Sequence, residues 1–134
     1  MLVLGGVGVF ATSEEQNIEI SPETGYDEVG YLAVVNSENV LVKNIEIPNN
    51  ILGLTFAYTQ NSTIQNIELV ENYFGLFLTY SNKSNINDVK ISQSYFGILM
   101  HWNSNNNTIK NNKIYNGTYG IYSVGLTDSN NIYH

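Results

Sequence analysis

With 134 residues the chain has room for one domain, and a 43% hydrophobic share with ten Tyr and five Phe excludes a disordered chain. The formal net charge is −7 and every Lys/Arg position is lysine, so the basic stripe that nucleic acid or an anionic membrane surface requires is missing. Cysteine is absent, which excludes disulfides, thiolate nucleophiles and cysteine metal sites, and no apolar run is long enough to insert into a membrane.

The first 29 residues are the least regular. They carry half of the 12 acids: Glu14, Glu15, Glu19, Glu23, Asp27 and Glu28. Residues 2–11 have the apolarity of a signal-peptide core, but no Lys or Arg precedes them and they contain Gly5, Gly6 and Gly8. They read as strand. Asn17-Ile18-Glu19-Ile20 repeats the letters of Asn44-Ile45-Glu46-Ile47 at a separation of 27. This predicts one early coil, with residues 1–10 as its first strand and residues 21–28 as an enlarged acidic turn.

From residue 30 onward the chain is periodic. Gly30, Gly53, Gly75, Gly97 and Gly120 recur at steps of 22 or 23, and Tyr73-Phe74-Gly75 returns as Tyr95-Phe96-Gly97. Val42, Ile64, Ile86, Ile109 and Ile132 form a second column, and Ile47, Leu69, Ile91 and Ile114 a third. Apolar residues alternate with period two, which is strand patterning. Three short strands fit in 22–23 residues, with no room for a helical crossover. Each strand must then pair with its equivalent in the next coil, at ~4.8 Å. The expected architecture is all-β: a single-stranded right-handed parallel β-helix, one domain over 1–134, of about 5–6 coils of 22–23 residues. Asn44, Asn66, Asp88 and Asn111 form a polar column at a turn, where Asn tolerates unusual backbone angles and can bond from coil to coil. The chain stops at Ile132-Tyr133-His134 in mid-coil without a polar cap. This predicts a piece of a longer protein, or an end covered by a protein partner or by self-association.

Asn61-Ser62-Thr63-Ile64-Gln65-Asn66-Ile67-Glu68-Leu69 runs on to Gly75-Leu76. Asn107-Thr108-Ile109-Lys110-Asn111-Asn112-Lys113-Ile114 runs on to Gly120-Ile121. These runs resemble the right-handed parallel β-helix repeats of the NosD-type periplasmic copper-binding and carbohydrate-binding/sugar-hydrolase group. The resemblance covers residues 30–134. It implies the fold and a cell-surface, extracellular or periplasmic setting. It says less about function, because its motif residues are structural.

Alternation places Phe74, Phe96, Leu76 and Leu78 inside the glycine strand. It places Tyr73, Tyr95, Phe77, Leu99 and Tyr122 outside, with a bare glycine column between them. Leu32, two residues after Gly30, joins the outward set. Tyr58, Tyr80 and Trp102 round the following turn. Three readings stay open for the aromatic columns: a polysaccharide platform, an interface with another domain or protomer, or core with the facing reversed. Glu46 and Glu68 stack on successive coils at the separation of a retaining glycosidase pair, ~5 Å. The stronger reading is an outward ladder in which Glu68 pairs with Lys90 across strands. Arginine and the Asp clusters of β-helix lyases and polygalacturonases are missing. Copper enters through the resemblance alone. Met100 and His101 are copper-type donors, but strand neighbours point to opposite faces, which leaves His101 as a lone candidate; the other histidine is His134. The four sequons at Asn61, Asn82, Asn106 and Asn116 are about as many as this composition yields by chance. The expectation is a non-catalytic extracytoplasmic module without a cofactor, binding polysaccharide. The alternatives are a glycan hydrolase or lyase, or a periplasmic copper-binding protein.

Overall fold

The computed structural model describes residues 2–3, 6–10, 18–25 and 30–133. The chain winds into a parallel β-solenoid of about 5 turns, and each regular turn gives one strand to each of three sheets. The glycine sheet stacks Gly6–Phe10, Leu32–Val35, Leu52–Ala57, Phe74–Thr79, Phe96–His101 and Tyr119–Val124 in parallel. A second sheet stacks Ile18–Ile20, Val40–Lys43, Thr63–Gln65, Asn85–Asn87, Thr108–Lys110 and Asn131–Tyr133. A third stacks Glu46–Pro48, Glu68–Val70, Lys90–Ser92 and Lys113–Tyr115. The repeat columns are therefore ladders: Val42, Ile64, Ile86 and Ile109 pair in register, as do Ile47, Leu69, Ile91 and Ile114. Val42, Ile64, Ile86, Ile47, Leu69 and Ile91 are fully buried, each worth ~1.5–3 kcal/mol of transfer free energy.

The early coil exists but is built differently from the letters. Ile18, Glu19 and Ile20 pair with Val40, Leu41 and Val42, not with the identical run at 45–47. The hydrophobic column at a step of 22 decides the register, since Ile20 has to reach the core beside Val42. The expected first strand is also replaced by two described ones, Leu2–Val3 and Gly6–Phe10, which pair antiparallel. A single 3-10 turn, Pro22–Thr24, occupies the acidic loop; Asp27 and Glu28 lie outside the described residues. Gly30 is not a member of the glycine column, because Leu32 pairs with Leu54 and so sets Tyr31 level with Gly53. Leu32 is accordingly core and not outward.

The glycine strand departs from simple alternation. Leu76 and Leu78 are buried as expected, but Phe74 and Phe96 lie outside the core, half-buried and stacked on each other at 5.3 Å. Pairing runs Phe74 to Phe96 and resumes at Leu76 to Ile98, with the glycine between them skipped. A β-carbon on Gly75 would lie 2.7 Å from Ile91 Cγ2 and 2.7 Å from the Gly97 carbonyl oxygen. The glycine column thus faces the interior and not the outer wall. Gly75 and Leu76 both point inward, which leaves Phe74 and Phe77 on the same outer side with ring centroids 5.8 Å apart. Such a local reset of the pleat is the usual role of a bulge or glycine kink.

Asn44, Asn66, Asp88 and Asn111 sit at an exposed corner with φ of 59°, 50°, 55° and 55°. The side-chain ladder there is short: Asn66 Nδ2 donates to Asn44 Oδ1 at 2.8 Å, while Asp88 accepts from Asn87 at 3.0 Å. Replacing Asn66 with Leu removes that bond and puts a branched side chain in left-handed backbone. The expected loss is about 1–2 kcal/mol in urea denaturation, with no change in fold.

The stronger polar ladders are inside. Ser62, Ser84, Asn107 and Asn130 form one: the backbone N–H groups of Val40, Ser62, Ser84 and Asn107 donate to their side-chain oxygens, coil to coil, at 3.0, 3.4, 3.0 and 2.9 Å. Thr59, Ser81 and Ser104 form a second, with Thr59 N–H donating to Ser81 Oγ at 3.2 Å and Ser81 N–H to Ser104 Oγ at 3.3 Å. Asn72 and Ser94 form a third, accepting from Asn50 and Asn72 N–H at 2.9 and 3.3 Å. These side chains satisfy the buried amides that the corners leave outside the sheet ladders.

Candidate functional site: the outer face of the glycine sheet

Glycine-driven bulging and one strand per coil bring five rows of side chains to one wall. Ile51, Tyr73 and Tyr95 lead into the strand. Leu52, Phe74, Phe96 and Tyr119 come next, then Thr55, Phe77, Leu99 and Tyr122, then Ala57, Thr79, His101 and Val124. Tyr58, Tyr80 and Trp102 turn the corner beyond them with φ of 51°, 49° and 33°. Tyr73 and Tyr95 are exposed at 48% and 40%, and Trp102 at 45%. Leu99 faces this side but is only 7% exposed, so it supports its neighbours and does not present a contact surface.

The rings are used in a way that spacing alone does not reveal. Tyr73 and Tyr95 stack at 4.9 Å with planes 5° apart, and Tyr58 and Tyr80 at 4.8 Å and 3°. Phe74, Phe96 and Tyr119 form a continuous stack at 5.3 and 5.0 Å. Parallel stacks at the coil spacing turn ring faces toward one another, so ring edges and tyrosine hydroxyls point to solvent. Tyr122 and Trp102 are not in parallel stacks: Tyr122 tilts against Phe96 and Tyr119, and Trp102 meets His101 edge-on at 5.4 Å. Thr55 is a further feature of this wall. Its Oγ1 is the one buried side-chain oxygen or nitrogen among the described residues without a hydrogen-bond partner.

His101 is half-buried beside the Phe77 ring at 5.9 Å. Met100 lies in the core at 2% exposure, so alternation separates the two donors as expected. Among the described residues no three of His, Cys, Asp and Glu come together as a metal site, and His134 lies outside them. The donor set is one imidazole, which does not by itself make the two- to four-ligand environment a copper ion takes. Among the same residues no helix is long and apolar enough to cross a membrane.

Glu46 and Glu68 are register partners on the third sheet, and Glu68 in turn pairs with Lys90. Glu68 Oε1 takes the Lys90 ammonium at 2.5 Å. That hydrogen bond raises the lysine's pKa above its ordinary value. Both groups are substantially exposed, so the pair is a surface ion pair in its energetics. Glu68 spends its charge on a lysine and not on a second carboxylate. A shallow recess runs over this row, lined by Asn44, Glu46, Asn66, Glu68, Asp88 and Lys90.

The interior ladders escaped the sequence reading, although Ser62 and Ser84, and Ser81 and Ser104, recur at steps of 22 and 23. Spacing was the available signal; inward direction was not.

No curated protein and no solved structure matches this chain. One family model does, over residues 5–134, and its description is periplasmic copper-binding protein (NosD). That match covers nearly the whole solenoid, the irregular first coil included, so the chain belongs to the NosD family.

Proposed function

We propose that this NosD-family solenoid is a non-catalytic scaffold that works outside the cytoplasm and takes its ligand along the outer wall of the glycine sheet. The observation that carries this reading is the row structure of that wall: Tyr73, Tyr95, Tyr119, Tyr122 and Trp102 are all exposed on one surface. An extended polysaccharide is the ligand whose shape fits. It can run along the solenoid axis, hydrogen-bond the repeated tyrosine hydroxyls and stack on the rings outside the parallel stacks, Tyr122 and Trp102. A glycan array with wild type, Tyr95→Ala and Phe77→Ala tests it. The expected result is a polysaccharide signal that falls at least about tenfold in Tyr95→Ala, the equivalent of ~1.4 kcal/mol. No binding to any glycan ends this reading.

Copper is the second reading, and the family description favours it over sugar. This chain would offer His101 as its donor, with the remaining ligands coming from outside the described residues. Calorimetric titration with copper should then give heat that disappears in His101→Ala. Absence of heat with the wild-type chain removes copper binding by this segment.

A further inference from the structure

Two pairs of tyrosines stand face to face on adjacent coils. Tyr58 and Tyr80 have ring centroids 4.8 Å apart and planes 3° apart; Tyr73 and Tyr95 are at 4.9 Å and 5°. All four are exposed. The separation is that of neighbouring strands, and near-parallel planes mean that partners share one side-chain conformation. Each ring is then close to a translated copy of the other. Every ring carbon then lies about one coil spacing from its own equivalent, the carbons ortho to the two hydroxyls included. A second feature favours these pairs as reactive partners: the chain has no cysteine to quench a tyrosyl radical.

We propose that Tyr58–Tyr80 and Tyr73–Tyr95 are sites of oxidative dityrosine formation, a modification that staples successive coils together. In each pair both phenols lose one electron and the hydroxyl proton to a one-electron oxidant. The two phenoxyl radicals couple through their ortho carbons. The ortho hydrogens then move to the oxygens as the rings regain aromaticity. One carbon–carbon bond forms, two hydrogens leave as protons, and two electrons pass to the oxidant. The side chains move together through their solvent-exposed rotamers, while the strands that carry them stay paired. Nearby tyrosines supply an internal contrast. Tyr95 and Tyr119 are 5.6 Å apart but cross at 74°, so their ortho carbons are not set opposite one another. Geometry therefore predicts selectivity, not general tyrosine oxidation.

The test uses the full chain at low concentration with a photo-oxidised ruthenium tris-bipyridine complex. Persulfate is the terminal acceptor and takes the two electrons to give two sulfates. The expected product is monomeric, shows dityrosine fluorescence and is lighter by two hydrogen masses per cross-link. Peptide mapping should join the Tyr58 peptide to the Tyr80 peptide and the Tyr73 peptide to the Tyr95 peptide. Tyr80→Phe should lose the first link and keep the second; Tyr95→Phe should do the reverse. Phenylalanine preserves each ring stack, so both variants should keep the fold. The yield should exceed that of the chain in denaturant by at least about tenfold, because the native fold holds the partners at high effective concentration. Three outcomes overturn the proposal: links only between chains, links spread over all tyrosines, or an equal yield from the denatured chain.

Discussion

Replacing Gly75 with alanine is expected to cost this solenoid about 3 kcal/mol, at the upper end of the range for overpacked cores. The added β-carbon would sit 2.7 Å from the Gly97 carbonyl oxygen and 2.7 Å from Ile91 Cγ2. Neither atom can yield cheaply. The carbonyl belongs to the neighbouring strand of the same sheet, and Ile91 is fully buried. Gly97 is as tight, at 2.5 Å from the Gly120 carbonyl oxygen and 2.6 Å from Ile114 Cγ2. Gly120 occupies the same position in the last described turn and has nothing within 4 Å of its virtual β-carbon. Gly120→Ala should therefore stay within about 0.5 kcal/mol of wild type. Guanidinium melts of the two variants check the contrast. Equal midpoints would mean that the glycine column marks the period without constraining the core.

Asn107→Leu is the second large effect, with an expected loss of about 2–5 kcal/mol. Asn107 is fully buried and works in both directions. Its Oδ1 accepts the Ser84 N–H at 3.0 Å, and its Nδ2 donates to the Ser81 carbonyl at 3.0 Å. Leucine fills much of the space but strands two buried backbone groups, each worth about 1–3 kcal/mol when left unpaired. Serine discriminates the mechanism from mere packing. Ser62 and Ser84 hold the equivalent place in earlier coils and accept with their hydroxyls. Asn107→Ser keeps the acceptor and loses the donor, so it should cost roughly half as much as leucine. Thermal unfolding followed by circular dichroism gives the order wild type, Ser, Leu. A leucine variant as stable as wild type would show that water satisfies these groups and the ladder is dispensable.

Both predictions rest on the interior, whereas the candidate binding wall rests on the exterior, and the two differ in how legible they were. Ile64 above Ile86 and Leu69 above Ile91 could be read directly, because a column of branched apolar residues at a constant step has one stable arrangement. The same logic exposed Tyr73 and Tyr95 as an outward pair. It failed at Phe74, where two consecutive inward positions break the period of two. It also failed at residues 18–20, where identity of letters with 45–47 lost to the burial of Ile20 beside Val42.

From the sequence alone followed the period, the all-β class, the stacking of coils and the residues on most ladders. These depend on repetition, and repetition is a one-dimensional property. Only the tertiary structure decided which way each column faces at a corner. It turned the glycines inward against Ile91 and Ile114 and brought Phe74 outward beside Phe77. It set the tyrosine rings parallel, so that their faces serve each other before any ligand. The reason is physical: facing at a bulge, and the orientation of a ring, are settled by the neighbours one coil above and below.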